Sequence, residues 1–259
     1  MRSIRSGKGL GDSLYLQSVV RYFVAKGERL RVHSEWPDVF RPLGDAVEVV
    51  PFSRDGIRTL AHYTMRKGVT GTTQFQDCCR SAGITEPVEL KLDWPQPDTH
   101  LTRGLLAHGL PIVLVQLPRA PMGRIDGFGQ ELLPDCRAIQ RAIDRLKGRA
   151  LLVQVGAGTP LFRFKGLDFD MANSTTIEQL LDLGAISSGV VGYVSFLLPM
   201  AESLGKRALL IWSRRGLTSQ TPFIRQITPE KVIHRKDLAS VVFDALDDDV
   251  EGQADAFLR

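Results

Sequence analysis

Apolar residues recur along this chain in two alternating rhythms. From Leu14 to Lys26, Leu14, Val19, Tyr22 and Phe23 fall near helical spacing and Gly27 ends the run, which predicts a helix. Met1 to Ser6 reads as a short first strand, and Leu30 to His33 is a second β-rich run. Ser34-Glu35-Trp36-Pro37 then turns the chain, and Pro37 suits the first turn of a brief helix reaching Phe40 or Leu43. Val47-Glu48-Val49-Val50-Pro51-Phe52 predicts the next strand. Strand, helix, strand, helix, strand at this spacing indicates parallel pairing with crossover helices. Between residues 53 and 93 the rhythm is less regular: helices are expected over Ile57–Arg66 and Thr73–Ala82, and Val88–Leu92 is expected to be extended. Trp94-Pro95-Gln96-Pro97-Asp98 breaks the pattern and marks a domain boundary, dividing the chain into residues 1–95 and 96–259.

A second α/β alternation follows. Leu101–Gly109 predicts a short helix, and Pro111–Leu117 is a near-continuous apolar strand, as in a sheet covered on both faces. Pro134–Leu146 predicts a helix with Ile139 and Ile143 one turn apart, and Ala150–Val155 a second buried strand leading into Gly156-Ala157-Gly158. Phe162–Met171 has no clear pattern. Ser174–Leu183 predicts a helix capped by Ser174, with Ile177, Leu180 and Leu181 as its apolar stripe. Ala185–Val194 is glycine-rich and β-like, Leu197–Leu204 helical, Ala208–Trp212 a strand and Val241–Leu246 a terminal helix fragment. The fold class is therefore α/β, with parallel sheets in two Rossmann-like halves.

Composition narrows this little. The chain has 259 residues, 43% hydrophobic and 24% charged, enough for a sizeable core. The start Met1–Gly7 lacks the apolar stretch of a secretion signal, and no run suits a membrane helix, so a cytoplasmic location is expected. Three cysteines (Cys78, Cys79 and Cys136) without framework spacing argue against a disulfide scaffold. The five histidines are scattered, and no zinc motif is present. Net charge is +4, but residues 1–70 hold 12 Lys/Arg against 7 Asp/Glu. That basic half suits a nucleic acid, an anionic headgroup or a phosphorylated acceptor; it reads equally as a solvated face.

The chemistry concentrates in Ser6-Gly7-Lys8-Gly9-Leu10-Gly11-Asp12-Ser13. Its three glycines let the backbone turn tightly and approach a ligand, and Asp12 or Ser13 is expected to cap the following helix. Free N–H groups at such a turn favour anions. An aspartate among them points instead to a base.

Gly9-Leu10-Gly11-Asp12-Ser13-Leu14 resembles the Gly-Asp start of the ADP-heptose:lipopolysaccharide heptosyltransferase family, and Val194-Ser195-Phe196 through Gly205-Lys206 to Trp212 is similar to that family's donor-binding segment. Asn173-Ser-Thr-Thr-Ile-Glu-Gln-Leu resembles the helix before it. Aligned on Gly205-Lys206, the family's His position holds Pro199, its Asp and Gly positions hold Val194 and Phe196, and Ser195 alone persists from that triplet. The resemblance implies the GT-B glycosyltransferase fold. It implies Asp12 as the base, with Gly9, Gly11 and Ser13 in an acceptor-side loop of residues 1–95. Residues 96–259 would bind the nucleotide-sugar.

Inverting glycosyl transfer needs a base at the acceptor hydroxyl, cations or N–H groups for the leaving diphosphate, and a nucleoside pocket. Arg119 and Arg124, in the loop after the Pro111–Leu117 strand, suit the diphosphate, because ligands of open α/β sheets lie beyond the carboxyl ends of strands. Gly192 and Ser195 belong to a second anion-suited turn, Glu202 is a candidate for a ribose hydroxyl or else faces solvent, and Lys206 serves phosphate or the helix C-terminus. The partners expected are a nucleotide-sugar co-substrate, with no separate cofactor and no metal, and an acceptor that is DNA of the phage-modified kind or a phosphorylated glycan core. A degenerate nucleotide-binding module without transferase activity is the alternative. A Rossmann oxidoreductase is weaker, since Gly7-Lys8-Gly9-Leu10-Gly11 is not the dinucleotide spacing.

Overall fold

The computed structural model describes residues 1–53, 55–57, 59–63, 72–119, 135–211, 229–242 and 249–259. Strands β1 (Arg2–Arg5), β2 (Leu30–His33), β3 (Val47–Val50) and β4 (Thr59–Leu60) form a four-stranded sheet in the order β3-β2-β1-β4. Strands β5 (Ile112–Gln116), β6 (Leu151–Val155), β7 (Phe169–Asp170), β8 (Gly189–Gly192), β9 (Arg207–Ile211) and β10 (Ala239–Val242) form a six-stranded sheet in the order β10-β9-β8-β5-β6-β7. Every pairing is parallel. The alternation of short apolar runs with helical periods is thus realised as two parallel sheets joined by crossovers.

Helix α1 (Leu10–Ala25) lies between them. It buries Leu14, Leu16, Val19, Val20 and Phe23, and also the polar Ser13, Gln17 and Ser18. A helix buried on this much of its circumference sits inside a fold rather than on its surface. Its polar side chains do the work of a strand partner. Ser18 Oγ donates to the Lys91 carbonyl at 2.9 Å and accepts from Lys91 N–H at 3.0 Å, while Gln17 exchanges bonds of 3.0 and 3.2 Å with the Asp93 backbone. Residues 88–92 are therefore strung along α1 by side chains and belong to no strand, and their backbone groups still find partners.

Helix α6 (Leu197–Ser203) packs against α1. A Cβ on Gly11 would stand 3.3 Å from Pro199 Cγ and 3.4 Å from Phe196 Cα, so the bare α-carbon lets the starts of the two helices meet. The carbonyl of Ser203 accepts from Leu92 N–H at 2.9 Å, and Trp94 Nε1 donates to Asp182 at 2.9 Å. Helix α2 (Gln74–Ser81) reaches across as well: Asp77 pairs with Lys231 of α7 (Pro229–Val232) at 2.5 Å, both side chains 8% exposed, and accepts from Thr72 Oγ1 at 2.8 Å. One apolar cluster consequently runs from Ile4 and Phe23 through Phe75 and Leu92 to Leu114, Leu198 and Ile233. A second fills the far face of the larger sheet under α4 (Cys136–Leu146) and α8 (Val250–Phe257).

Several expectations are corrected. Helix α1 begins earlier than Leu14 and neither Asp12 nor Ser13 caps it: Gly9 is the cap, and Asp12, three residues on, takes the Gly9 N–H at 3.1 Å. No helix spans Ile57–Arg66; Thr59–Leu60 is a strand because it pairs with Ile4 and Arg5, and residues 64–66 lie outside the described residues. Helix α5 (Ile177–Ile186) is capped by Thr176, whose hydroxyl accepts from Gln179 N–H while Gln179 reaches back to Thr176 N–H, and not by Ser174. It also extends into the segment expected to be β-like. Val241 and Val242 belong to β10, paired with β9, rather than to a terminal helix.

Removing Asp77 leaves the Lys231 ammonium buried without its carboxylate. Asp77→Ala should cost about 3–5 kcal/mol in urea unfolding, and Asp77→Ala with Lys231→Met clearly less. Equal losses in the single and double variants would mean the pair is not what holds α2 to α7.

Candidate functional site

The glycine turn wraps one carboxylate. Asp12 is half-buried in the first turn of α1, and its Oδ2 accepts from Gly9 N–H. A Cβ on Gly7 would fall 2.2 Å from that oxygen and one on Gly9 3.0 Å, so two of the three glycines are spaces that the carboxylate occupies. Ser6 Oγ donates to the Asp12 carbonyl at 3.1 Å. The hydroxyl of Tyr63, just after β4, lies close enough to the Asp12 carboxylate to favour its charged form, and its ring lies edge-on to Tyr15 and stacked on His62. Burial raises the proton affinity of Asp12 above the ordinary carboxylate value, while Tyr63, the Gly9 N–H and His62 pull it back. A carboxylate made more basic yet kept hydrogen-bonded suits proton abstraction from a hydroxyl.

Ser13, grouped with this turn by sequence, points inward: it is buried and shares a 3.0 Å hydrogen bond with Ser34. Gly11 faces Phe196 and Pro199, as described, and so brings the turn at Ser195 beside the turn at Asp12. Ser195 Oγ is a buried hydroxyl with no hydrogen-bond partner among the described residues. Tyr193, two residues earlier, donates to the Leu117 carbonyl at 3.3 Å and accepts from Arg119 N–H at 3.5 Å, which ties the end of β8 to the loop after β5. Arg119 is exposed there, its side chain lying over Gly158. Arg124 lies outside the described residues.

The remaining sequence candidates have other surroundings. Gly192 is buried at the end of β8, where a Cβ would stand 2.6 Å from Gln116 Oε1; its small size serves the packing of Gln116. Lys206 is half-buried after the positive-φ Gly205, and burial lowers its proton affinity. Glu202 does not face solvent. It is 0% exposed, and one oxygen accepts the N–H groups of His234 at 2.7 Å and Arg235 at 2.6 Å. The other oxygen has no partner among the described residues. Burial pushes its pKa up to about 7, against those two N–H groups. His234 in turn meets Thr73 Oγ1 at 2.9 Å and the edge of Phe75, so Glu202 anchors a segment that touches both sheets' helices.

Asp168-Phe169-Asp170 is an Asp-x-Asp triplet, the signature used for metal by the other major glycosyltransferase fold. Here Asp168 accepts Leu152 N–H at 2.8 Å and Asp170 accepts Ala172 N–H at 3.1 Å, both serving the edge of the sheet. No group of three His, Cys, Asp or Glu among the described residues gathers as for a metal. Among the described residues no helix is long and apolar enough to cross a membrane.

Sequence reasoning passed over Tyr63, His62, Tyr193 and His234. Each becomes visible only through contacts between segments far apart in the chain, and nothing in their local sequence marks them.

No protein-family model and no curated sequence matches the chain. Solved structures do. It is similar to the glycosyl transferase family 9 protein of Veillonella parvula with a TM-score of 0.60 and 9% identity, over 94% of this chain and 86% of that one. It is similar to ADP-heptose LPS heptosyltransferase II of E. coli with a TM-score of 0.51 and 16% identity, over 100% and 98%. It is also similar to TibC of enterotoxigenic E. coli, an iron-containing dodecameric heptosyltransferase solved with ADP-D-β-D-heptose, with a TM-score of 0.55 and 14% identity; 90% of this chain aligns, spanning 62% of the TibC chain. The likeness is one of fold: the two parallel sheets have the GT-B arrangement of these glycosyltransferases. Nothing in these three matches speaks for DNA modification or a phage enzyme.

The buried acid generates a pH signature. A folded-state pKa near 7 against an ordinary 4.5 makes the contribution of neutral Glu202 full below about pH 4.5, lost as pH rises through about 7. Glu202→Gln keeps the acceptor oxygen and stays neutral. In melts at pH 5 and pH 8, wild type should lose on the order of 2–3 kcal/mol relative to this variant. A difference independent of pH would show that Glu202 is ionised throughout.

Proposed function

We propose that this protein is a glycosyltransferase that moves a sugar from a nucleotide-sugar to an acceptor hydroxyl with inversion at the anomeric carbon. The observation that carries the reading is the seating of Asp12. A carboxylate of raised basicity stands in a glycine turn at a helix start, directly beside the start of α6, in a fold shared with sugar-nucleotide transferases. In this reading residues 1–95 present the acceptor and residues 96–259 hold the donor.

Asp12 takes the proton of the acceptor hydroxyl as its oxygen bonds to the anomeric carbon and the bond to the diphosphate breaks. Gly9 N–H holds the carboxylate, and the Tyr63 hydroxyl near it favours its charged form before reaction. The departing diphosphate carries the developing negative charge, and the guanidinium of Arg119 and the Ser195 hydroxyl are the groups offered to it from the second sheet. Arg119 is exposed and Ser195 Oγ is unpartnered, so neither must break a bond within the described residues to engage a ligand. The chemistry asks no metal of these residues. The basic first 70 residues suit an anionic acceptor, a phosphorylated glycan core or duplex DNA, and duplex DNA would be distinguished by a steep loss of binding with salt.

A panel of nucleotide-sugars scored by thermal shift identifies the donor class. With that donor, Asp12→Asn should nearly abolish transfer while leaving donor affinity unchanged; a fully active variant would sink the assignment of the base. Arg119→Ala should weaken binding of the nucleoside diphosphate by about 1.5–3 kcal/mol in calorimetry. Unchanged affinity would remove Arg119 from the diphosphate site.

A further inference from the structure

Parallel sheets ordinarily bury both faces. Among the described residues, the smaller sheet of this protein buries one. Ile4, Val32 and Val49 are partners in register and belong to the apolar cluster that includes α1. The next residue along each strand points to the opposite face. There Val50, His33, Arg5 and Leu60 form one row across all four strands, each the register partner of the next. Val50, Leu60 and Phe52, just after β3, join neither apolar cluster.

The polar pair in the middle of that row is short of partners. Arg5 Nε and His33 Nδ1 are both buried, and neither has a hydrogen-bond partner among the described residues. The one hydrogen bond of Arg5 is long, from Nη1 to the Ser6 carbonyl at 3.4 Å. Two residues back on the same face, Arg31 pairs with Glu48 through bonds of 3.0 and 3.3 Å. Arg21 also has an unpartnered Nε, but its Nη2 reaches the Glu89 carbonyl at 3.1 Å and the carboxylate at 3.8 Å. Arg5 has no such carboxylate among the described residues. A buried donor without an acceptor costs stability, and two of them side by side call for an explanation.

A second cation converges on the same place. Arg5 Cζ lies 5.9 Å and Lys8 Nζ 5.1 Å from the centroid of the Phe52 ring. The ring attracts each cation but accepts no strong hydrogen bond and leaves their mutual repulsion in place. Lys8 meets Glu35 at 3.8 Å in an exposed pair, which contributes little. The backbones beneath these side chains are fixed. Trp36 Nε1 donates to the Lys8 carbonyl at 2.8 Å, Ser6 Oγ donates to the Asp12 carbonyl at 3.1 Å, and Ser34, next to His33, is bonded to Ser13 at 3.0 Å. Rigid elements thus gather two cations and an imidazole, and the missing group is an acceptor that carries negative charge.

We propose that Arg5, His33 and Lys8 form an oxyanion site that takes a phosphate group on the outer face of the smaller sheet. Arg5 Nε–H and His33 Nδ1–H donate to its oxygens, and the Lys8 ammonium closes over it beside Phe52. A phosphate presents oxygens on three sides, as a guanidinium, an imidazole and an ammonium require. A carboxylate presents two, and an uncharged sugar leaves the cations unbalanced. The site uses none of the groups assigned to the base or the diphosphate, and it stands whether or not the chain transfers a sugar.

The test is titration of the full chain with inorganic phosphate at constant ionic strength, read by calorimetry and by NMR of isotopically labelled side chains. Phosphate should bind saturably where chloride does not, and the Arg5 Nε–H and His33 ring signals should move with one midpoint. Arg5→Gln should weaken binding about tenfold or more, and Lys8→Gln and His33→Phe about threefold each, while Arg21→Gln should leave it within about twofold. Lys8 is exposed, so its variant folds and keeps the test open if Arg5→Gln does not. Glucose 6-phosphate separates the two sources of the anion. Binding about tenfold tighter than inorganic phosphate, and lost in Arg5→Gln, identifies an ester carried by a larger ligand; equal binding, also lost in Arg5→Gln, identifies the free anion. Phosphate binding that Arg5→Gln and Lys8→Gln leave unchanged would overturn the site, as would the absence of saturable binding. Either result would leave the transferase reading intact.

Discussion

The structure depends on a contact in which one partner has no side chain. Gly11 lets the first turn of α1 lie against Phe196 and Pro199 at the first turn of α6. The helix that follows the first strand of one sheet thereby meets the helix that follows the fourth-placed strand of the chain's second half, start to start. A methyl group at Gly11 would already press on Pro199, and a branched side chain would part the helices. Because the carboxyl ends of parallel strands lie at these same starts, the contact sets the turn at Asp12 beside the turn at Ser195. Asp12 and Ser195 owe their proximity to it.

Around that contact the glycines of the first turn do a job different from the one glycine turns usually suggest. Gly7 and Gly9 do not leave room for a phosphate; the Asp12 carboxylate fills the room they leave. The turn is a holder for an acid, and the raised proton affinity of that acid follows from being held out of water. Glu202 repeats the theme, where two backbone N–H groups donate to one oxygen and burial raises the proton affinity of the carboxyl.

Much of this was legible in the residues. The apolar runs Pro111–Leu117 and Ala150–Val155 read as strands covered on both faces, and the strands within them are buried throughout; the long apolar run after the glycine turn read as the helix that became α1. The rest was hidden for physical reasons. Thr59–Leu60 is a strand through two pairings with β1, too short to leave a period. Gly11 has the poorest ordinary helix propensity, so the helix start was placed past it, although packing against Phe196 outweighs that preference. Glu202 looks like a surface residue by type, and its burial is decided by backbone groups more than thirty positions away. Arg5 and His33 read as ordinary strand residues until their missing partners are seen.

The buried pair of Asp77 with Lys231 has a consequence for how the two sheets can move. Enzymes built of two facing halves commonly hinge about exposed linkers, with polar surfaces sliding apart. Here an ion pair, a shared apolar cluster and the strapped segment at residues 88–94 lie between the sheets, so opening a wide cleft would bring charged groups and core side chains into water together. Separation of the two sheets would therefore have to begin by exposing groups that the fold keeps dry, and the cost of doing so ties the two sheets into one mechanical body.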